Sequence, residues 1–160
     1  MNLVLPLTKI DDQHRMQVGG KGFALAEMAK KGLLVPEAIC VTTGAYNEYV
    51  RKTGLRDQII LELYRKAFED MRWEEIWDTS LRIRSLFIKT PMPPDLRVSL
   101  APAIQSKFLG KRVSVRSSAP GEDSSKTSFA GLHESFINVS GEEAILDHIR
   151  LVWASLWSDR

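Results

Sequence analysis

With one cysteine, Cys40, among 160 residues, the chain cannot form an intramolecular disulfide. That cysteine sits in an apolar run, residues 38–41, which suits a buried, reduced thiol. No apolar stretch approaches the roughly 20 residues a membrane-spanning helix needs, and no basic segment followed by an apolar one opens the chain. The chain therefore reads as soluble and cytoplasmic. Its three histidines, His14, His133 and His148, are scattered, and no set of His, Cys, Asp and Glu has metal-ligand spacing. A net charge of +2 with no basic stripe gives no electrostatic footprint for nucleic acid. Internal repeats and low-complexity tracts are absent as well.

At 44% hydrophobic residues the chain can make a real core. A single globular unit of this length buries roughly 68–70% of its unfolded surface. The most informative stretch is 113–136, V-S-V-R-S-S-A-P-G-E-D-S-S-K-T-S-F-A-G-L-H-E-S-F. A short alternating run leads into a loop of Ser, Gly and Pro, then into a second run of strand character at 134–139. Side chains alternate along a strand, so Val113 and Val115 share one face and Ser114 and Arg116 the other. Arg116 is thus a cation near a strand's end, directed away from the core. Its rigid fork of donors matches phosphate oxygens, and it equally suits an edge arginine held by Glu122 or Asp123. Phe129-Ala130-Gly131 allows either close approach of backbone N–H groups to a ligand or an ordinary hairpin tip.

Taken in order, Leu3, Val4 and Leu5 predict a brief strand closed by Pro6, and the polar residues 8–17 a loop. Gly19-Gly20-Lys21-Gly22 then opens a helix that Gly32 ends, with Leu25, Met28 and Ala29 at helical spacing. A helix N-terminus with glycines and a lysine can hold a phosphate, which makes Lys21 a candidate. The run is neither G-x-x-x-x-G-K-[ST] nor G-x-G-x-x-G, so a solvated lysine beside a turn is the competing reading. Residues 38–42 predict a second strand, and Thr43 caps a helix bearing Tyr46, Tyr49 and Val50. Leu55, Ile59, Leu63 and Ala67 mark another helix. Trp73, Ile76, Trp77 and Leu81 mark a third, running towards Phe87, whose aromatic stripe reads as packing between helices.

Pro94 starts the next helix, in which Leu96, Leu100, Ile104 and Phe108 recur until Gly110, with a kink or interruption expected at Pro102. Ser140 and Glu143 have capping-box spacing ahead of a helix carrying Ile145, Ile149, Val152, Trp153 and Leu156. Arg160 follows that helix abruptly, as in part of a longer protein.

Four blocks in order carry a resemblance: Val18-Gly19-Gly20-Lys21-Gly22 with Leu25-Ala26-Glu27-Met28; Arg116-Ser117-Ser118-Ala119 with Glu122-Asp123; Ser128-Phe129-Ala130-Gly131; and Trp153-Ala154-Ser155-Leu156-Trp157-Ser158-Asp159-Arg160. Across nearly its whole length, 1–160, the chain resembles the N-terminal ATP-binding domain of the phosphoenolpyruvate synthase and pyruvate phosphate dikinase family. The similarity is greatest to the branch holding the synthase and rifampicin phosphotransferase. The resemblance implies an α+β fold, the first subdomain of an ATP-grasp domain, with a mixed sheet and several packed helices. It implies ATP as ligand, with Lys21 and Arg116 on its phosphates. The loop of Phe129 to Gly131 would fold over those phosphates, with Leu132 and Ser135 beside the nucleotide.

In the family's full enzymes ATP phosphorylates a histidine of a separate domain, giving AMP and phosphate, and the histidine then phosphorylates pyruvate or another acceptor. The Mg²⁺ ligands, the second ATP-grasp half, that histidine and the pyruvate barrel are expected outside these residues. The three histidines here do not lie in the family's phosphohistidine setting, so the chain supplies no catalytic residue and alone should not turn over. Where the family has glutamine after the loop glycine this chain has Leu132-His133, which leaves backbone groups to make that contact. Pro36-Glu37-Ala38 replaces the usual Pro-Pro-Gly. A free-standing module binding nucleotide or a protein partner is the reading from another class.

Overall fold

A computed structural model describes residues 2–120 and 134–157, together with the backbone of 123–124 and 127–128. Strand β1 (Val4–Pro6) is followed by single 3-10 turns at Leu7–Lys9 and Asp12–His14 and by helix α1 (Arg15–Lys30). Strand β2 (Ile39–Val41) then precedes helices α2 (Thr43–Lys52), α3 (Leu55–Leu63), α4 (Trp73–Lys89) and α5 (Pro94–Phe108). Strand β3 (Arg112–Arg116) follows, with the two-residue strands β4 (Asp123–Ser124) and β5 (Thr127–Ser128), strand β6 (Ser135–Ser140) and helix α6 (Glu142–Ser155).

The class is α+β, as the sequence indicates, but the sheet is not mixed. Among the described residues the strands form three antiparallel pairs, β1 with β2, β3 with β6 and β4 with β5. Only β4 and β5 are close in sequence; β1 and β2 are separated by residues 7–38, which include α1, and β3 and β6 by residues 117–134. The β3–β6 register matches Val113 with Val139 and Arg116 with Ser135 and shifts between Val113 and Val115. There Ile137 and Asn138 oppose the lone Ser114, and Asn138 takes a positive φ of 58°, as the extra residue of a bulge requires.

Helix α6 packs on α4, α5, β3 and β6, and so occupies the middle of the larger core. Tyr49, Phe87 and Trp153 meet there, with the Tyr49 and Trp153 rings 5.2 Å apart and those of Tyr49 and Phe87 5.8 Å apart. Full burial of an aromatic side chain such as Phe87, 0% exposed, contributes about 1.5–3 kcal/mol. The Tyr49 hydroxyl donates to the Thr90 carbonyl at 2.8 Å, while Arg150 reaches from α6 to donate to the Phe87 and Ile88 carbonyls. A smaller core joins Leu5, Leu7, Ile10, Val18 and Ala26 beneath α1.

Several local expectations are corrected. Residues 8–17 are largely helical turns rather than a loop, because the Asp11 carboxylate accepts from the Gln13 N–H at 3.2 Å and caps the turn that leads into α1. Thr42, not Thr43, is the cap residue of α2, and its hydroxyl donates instead to the Asn2 carbonyl at 2.8 Å, tying α2 to β1. Helix α3 ends at Leu63, so Ala67 lies beyond it. Helix α5 runs without interruption through Pro102, since Pro102 faces solvent, where water can take the carbonyl that the ring leaves without a donor.

The capping box of Ser140 and Glu143 does not form. Gly141, at φ 86°, turns directly from β6 into α6, and Glu143 pairs with Arg97. In α1 the face turned inward is Val18, Gly19, Gly22 and Ala26, whereas Met28 is exposed.

The largest difference lies in α4. Its buried face is Thr79, Ile83 and Phe87, while Trp73, Trp77 and Leu81 are 64%, 46% and 45% exposed. The two indoles stack on each other, 6.5 Å apart, instead of packing between helices. A helix with two apolar stripes presents two possible inner faces, and contact with α6 selects the one carrying Phe87.

Candidate functional site

Gly19 divides α1 into two helical segments, with φ 72° and ψ 174°. The expected glycine-rich turn opening a helix is therefore present, although helical residues precede it. The reason for glycine is steric: a Cβ on Gly19 would stand 1.8 Å from the Ser118 carbonyl oxygen. Gly22 is also closely fitted, though less so, because a Cβ there would lie 2.8 Å from the Cys40 sulfur and 3.4 Å from the Ser118 hydroxyl. These glycines let the segment after β3 lie directly on α1.

Ser118 completes the contact. Its Oγ donates to the Val18 carbonyl at 2.6 Å and accepts from the Gly22 N–H at 2.8 Å. Val18 and Gly22 are the pair that a continuous helix would join by its own i to i+4 bond. The hydroxyl stands in the gap left by the Gly19 break and satisfies both ends.

The result is that Lys21, on the second helical segment, and Arg116, at the end of β3, line one cleft of about 1220 Å³. Both side chains are exposed. Arg116 alternates with Val113 and Val115 as the strand pattern requires, the valines packing on the larger core. Among the described residues no carboxylate is paired with Arg116. Glu122 and the side chain of Asp123, the alternative partners, lie outside those residues, as do Gly131 and Leu132.

Ser135 opposes Arg116 directly in the β3–β6 ladder, so the two side chains share a sheet face at the roughly 4.5–5.5 Å spacing of cross-strand neighbours. Ser135 is not part of the cleft wall. The partial positive charge of a helix N-terminus also acts near Lys21, because the break at Gly19 starts a new helical segment there.

Elsewhere the cleft wall is largely apolar, with Tyr46, Phe108, Trp153 and Trp157 among its members, although Glu37, Asn47, Lys111 and Arg112 also line it. Cys40 lies in the wall too, and burial pushes its thiol up to about 11. It is thus a packing residue and not a nucleophile at neutral pH. Among the described residues no group of three His, Cys, Asp or Glu is placed to hold a metal ion. His14 is engaged with Asp11, and His148 packs edge-on to Phe136 at 4.7 Å. Among the described residues no helix is long and apolar enough to cross a membrane.

The sequence nominates Lys21 and Arg116, which line one cleft, but gives Ser118 no task. The Arg-Ser-Ser run contained the residue, yet nothing local signals that its hydroxyl enters a helix 96 positions away.

The chain is thus an α+β unit in which a glycine-broken helix and a strand end share one cleft. Residues 15–160 match the family described as "Pyruvate phosphate dikinase, AMP/ATP-binding domain", and the chain belongs to that family.

Among its relatives, a phosphoenolpyruvate synthase of Aeropyrum pernix is 40% identical over 163 residues, covering 99% of this chain and 20% of the relative. A rifampicin phosphotransferase of Bacillus subtilis is 35% identical over 160 residues, covering 99% of this chain and 18% of the relative. A probable phosphoenolpyruvate synthase of Staphylothermus marinus is 36% identical over 150 residues, covering 89% and 18%. The chain thus spans about a fifth of the length of these relatives.

Proposed function

We propose that the chain is the phosphate-holding part of an ATP-grasp site in a phosphoenolpyruvate synthase-like phosphotransferase. The single observation that supports this most is that Lys21 and Arg116, far apart in sequence, line the same cleft. Lys21 and Arg116 lie on the wall of one cavity beside the start of a helical segment, with Lys111 and Arg112 also on that wall and Glu37 its one carboxylate among the described residues, a balance that suits a triphosphate better than any uncharged ligand. Ser135 across the ladder from Arg116, and the backbone of Gly131 and Leu132, complete the nucleotide-binding set in this reading.

ATP would bind here with Mg²⁺ whose protein ligands lie outside these residues, and the ion would supply neutralisation of phosphate charge. Lys21 and Arg116 hold the phosphate chain in place and offset negative charge as it shifts during transfer. In this reading Phe129 to Gly131, which lie outside the described residues, would keep water away from the phosphates. In the complete enzyme the β-phosphate passes to a histidine of another domain, leaving AMP and phosphate, and then to the acceptor. Relatives named for both phosphoenolpyruvate synthesis and rifampicin phosphorylation align across the same span, so the part in hand serves the nucleotide side common to both.

Calorimetric titration with Mg-ATP tests the reading. Charge-assisted contacts contribute about 1.5–3 kcal/mol, and solvent screening at these exposed positions favours the lower end. Lys21→Ala and Arg116→Ala are each expected to weaken binding by about tenfold or more. Affinity unchanged by both substitutions would refute the assignment.

A further inference from the structure

We infer that Ser118 is a positioning residue for the phosphate site, fixing the placement of Lys21 relative to Arg116 by inserting its hydroxyl into the broken ladder of α1. The inference rests on the nucleotide reading above and assigns it a third residue, one that need not touch the ligand.

The geometry is specific. Ser118 follows Arg116 by two residues, just beyond the end of β3, and its Oγ accepts from the N–H of Gly22, the residue next to Lys21. One hydrogen bond therefore joins the strand carrying one cation to the helix carrying the other. The same oxygen donates to Val18 on the near side of the break, so both helical segments are held by one atom. A serine hydroxyl has one proton to give and lone pairs to receive, and both capacities are used. Neither partner group is left to water.

The contact also reports its own alternative. Without a hydroxyl at 118, the Val18 carbonyl and Gly22 N–H lose their shared partner, and the simplest way to satisfy them is a direct helical bond. Forming that bond straightens α1 at Gly19 and rotates the turn that bears Lys21, while Arg116 stays with β3, locked by its pairing to β6. A break maintained at Gly19 by an external hydroxyl is thus a device for aiming Lys21. Positions set by such contacts matter because misplacing a charged group by about 1 Å can cost on the order of a hundredfold.

The test uses the chain with Mg-ATP and, separately, Mg-tripolyphosphate, in the parent and in Ser118→Ala and Ser118→Thr. Ser118→Ala is expected to weaken both ligands by about tenfold with its circular dichroism unchanged, and Ser118→Thr, which keeps the hydroxyl, to bind within about threefold of the parent. The two cations should also be energetically coupled. The loss in Lys21→Ala/Arg116→Ala departs from the product of the single losses in the parent, and becomes multiplicative in the Ser118→Ala background.

Parent-like affinity in Ser118→Ala, equal weakness in both Ser118 variants, or coupling that survives the loss of the hydroxyl would each overturn the inference. Where Ser118→Ala does not fold, Ser118→Cys takes its place, being similar in size and a weak donor and acceptor. If the parent binds neither ligand, the nucleotide reading fails while the positioning claim is still judged by amide exchange. In Ser118→Ala the Gly22 amide should exchange at a rate different from the parent's, as its acceptor changes from Ser118 Oγ to the Val18 carbonyl, with the Lys21 amide resonance displaced. Unchanged exchange and unchanged resonance refute it.

Discussion

Gly19 and Ser118 pack backbone to backbone so closely that a methyl group on the glycine would lie 1.8 Å from the serine's carbonyl oxygen. Gly19→Ala must therefore push 118 off α1 as well as hold a side chain at φ 72°. Strain of about 1–2 kcal/mol and overpacking of about 1–3 kcal/mol together predict a loss of about 2–5 kcal/mol in urea unfolding. Gly32 is the control: its φ is 76°, but a Cβ there meets nothing within 4 Å. Gly32→Ala should cost only the conformational part, about 1–2 kcal/mol.

The two faces of α4 predict opposite sensitivities. Phe87 is 0% exposed and packs with Tyr49, so Phe87→Ala is expected to cost about 3–5 kcal/mol. Trp77, although larger, is 46% exposed and stacks on Trp73, and Trp77→Ala should cost about 1 kcal/mol or less. Paired denaturation curves check this. A larger loss at Trp77 than at Phe87 would mean that the stripe read from sequence is the buried one.

Cys40 should be a slow thiol. Its ordinary value of 9.0 is raised to about 11 by burial. At a given pH below both values, the thiolate is then about a hundredfold scarcer in the folded chain than in the unfolded one. Alkylation at pH 8, followed by mass, is expected to run at least that much slower in native buffer than in denaturant. Comparable rates would place the sulfur in open solvent.

Glu75 links stability to acid. Its carboxylate accepts from Lys66 Nζ at 2.8 Å and from the Arg72 N–H at 2.8 Å, which lowers it from 4.5 to about 2. Because the folded value is the lower one, the stabilisation is present above pH 4.5 and is lost as pH falls towards 2. Glu75→Gln should therefore melt below the parent at pH 6, with the difference shrinking on acidification. A constant gap across that range would remove Glu75 as its source.

The alternation of Val113 and Val115 with Ser114 and Arg116, the stops at Gly32 and Gly110, and the starts of α4 and α5 were all legible from sequence, because each depends on residues within a turn or a strand pair. The inner face of α4 was not, since only α6 decides between two apolar stripes. Nor was the failed capping box, where Gly141 turns the chain before Ser140 can reach. Lys21 and Arg116 could be nominated singly from residue type. That Ser118 fastens one to the other belongs to tertiary structure, and short-range pattern carries no trace of it.

Tyr49 and Arg150 between them take three of the last carbonyls of α4 and its exit, those of Phe87, Ile88 and Thr90. Those groups would otherwise be free to exchange partners with water, which is how a helix end unwinds. At the other end Glu75, on the solvent side, holds the Arg72 N–H. Unravelling of α4 accordingly starts at the tryptophans and runs inward, so hydrogen exchange along this helix should form a gradient, fastest near Trp73 and slowest approaching Lys89.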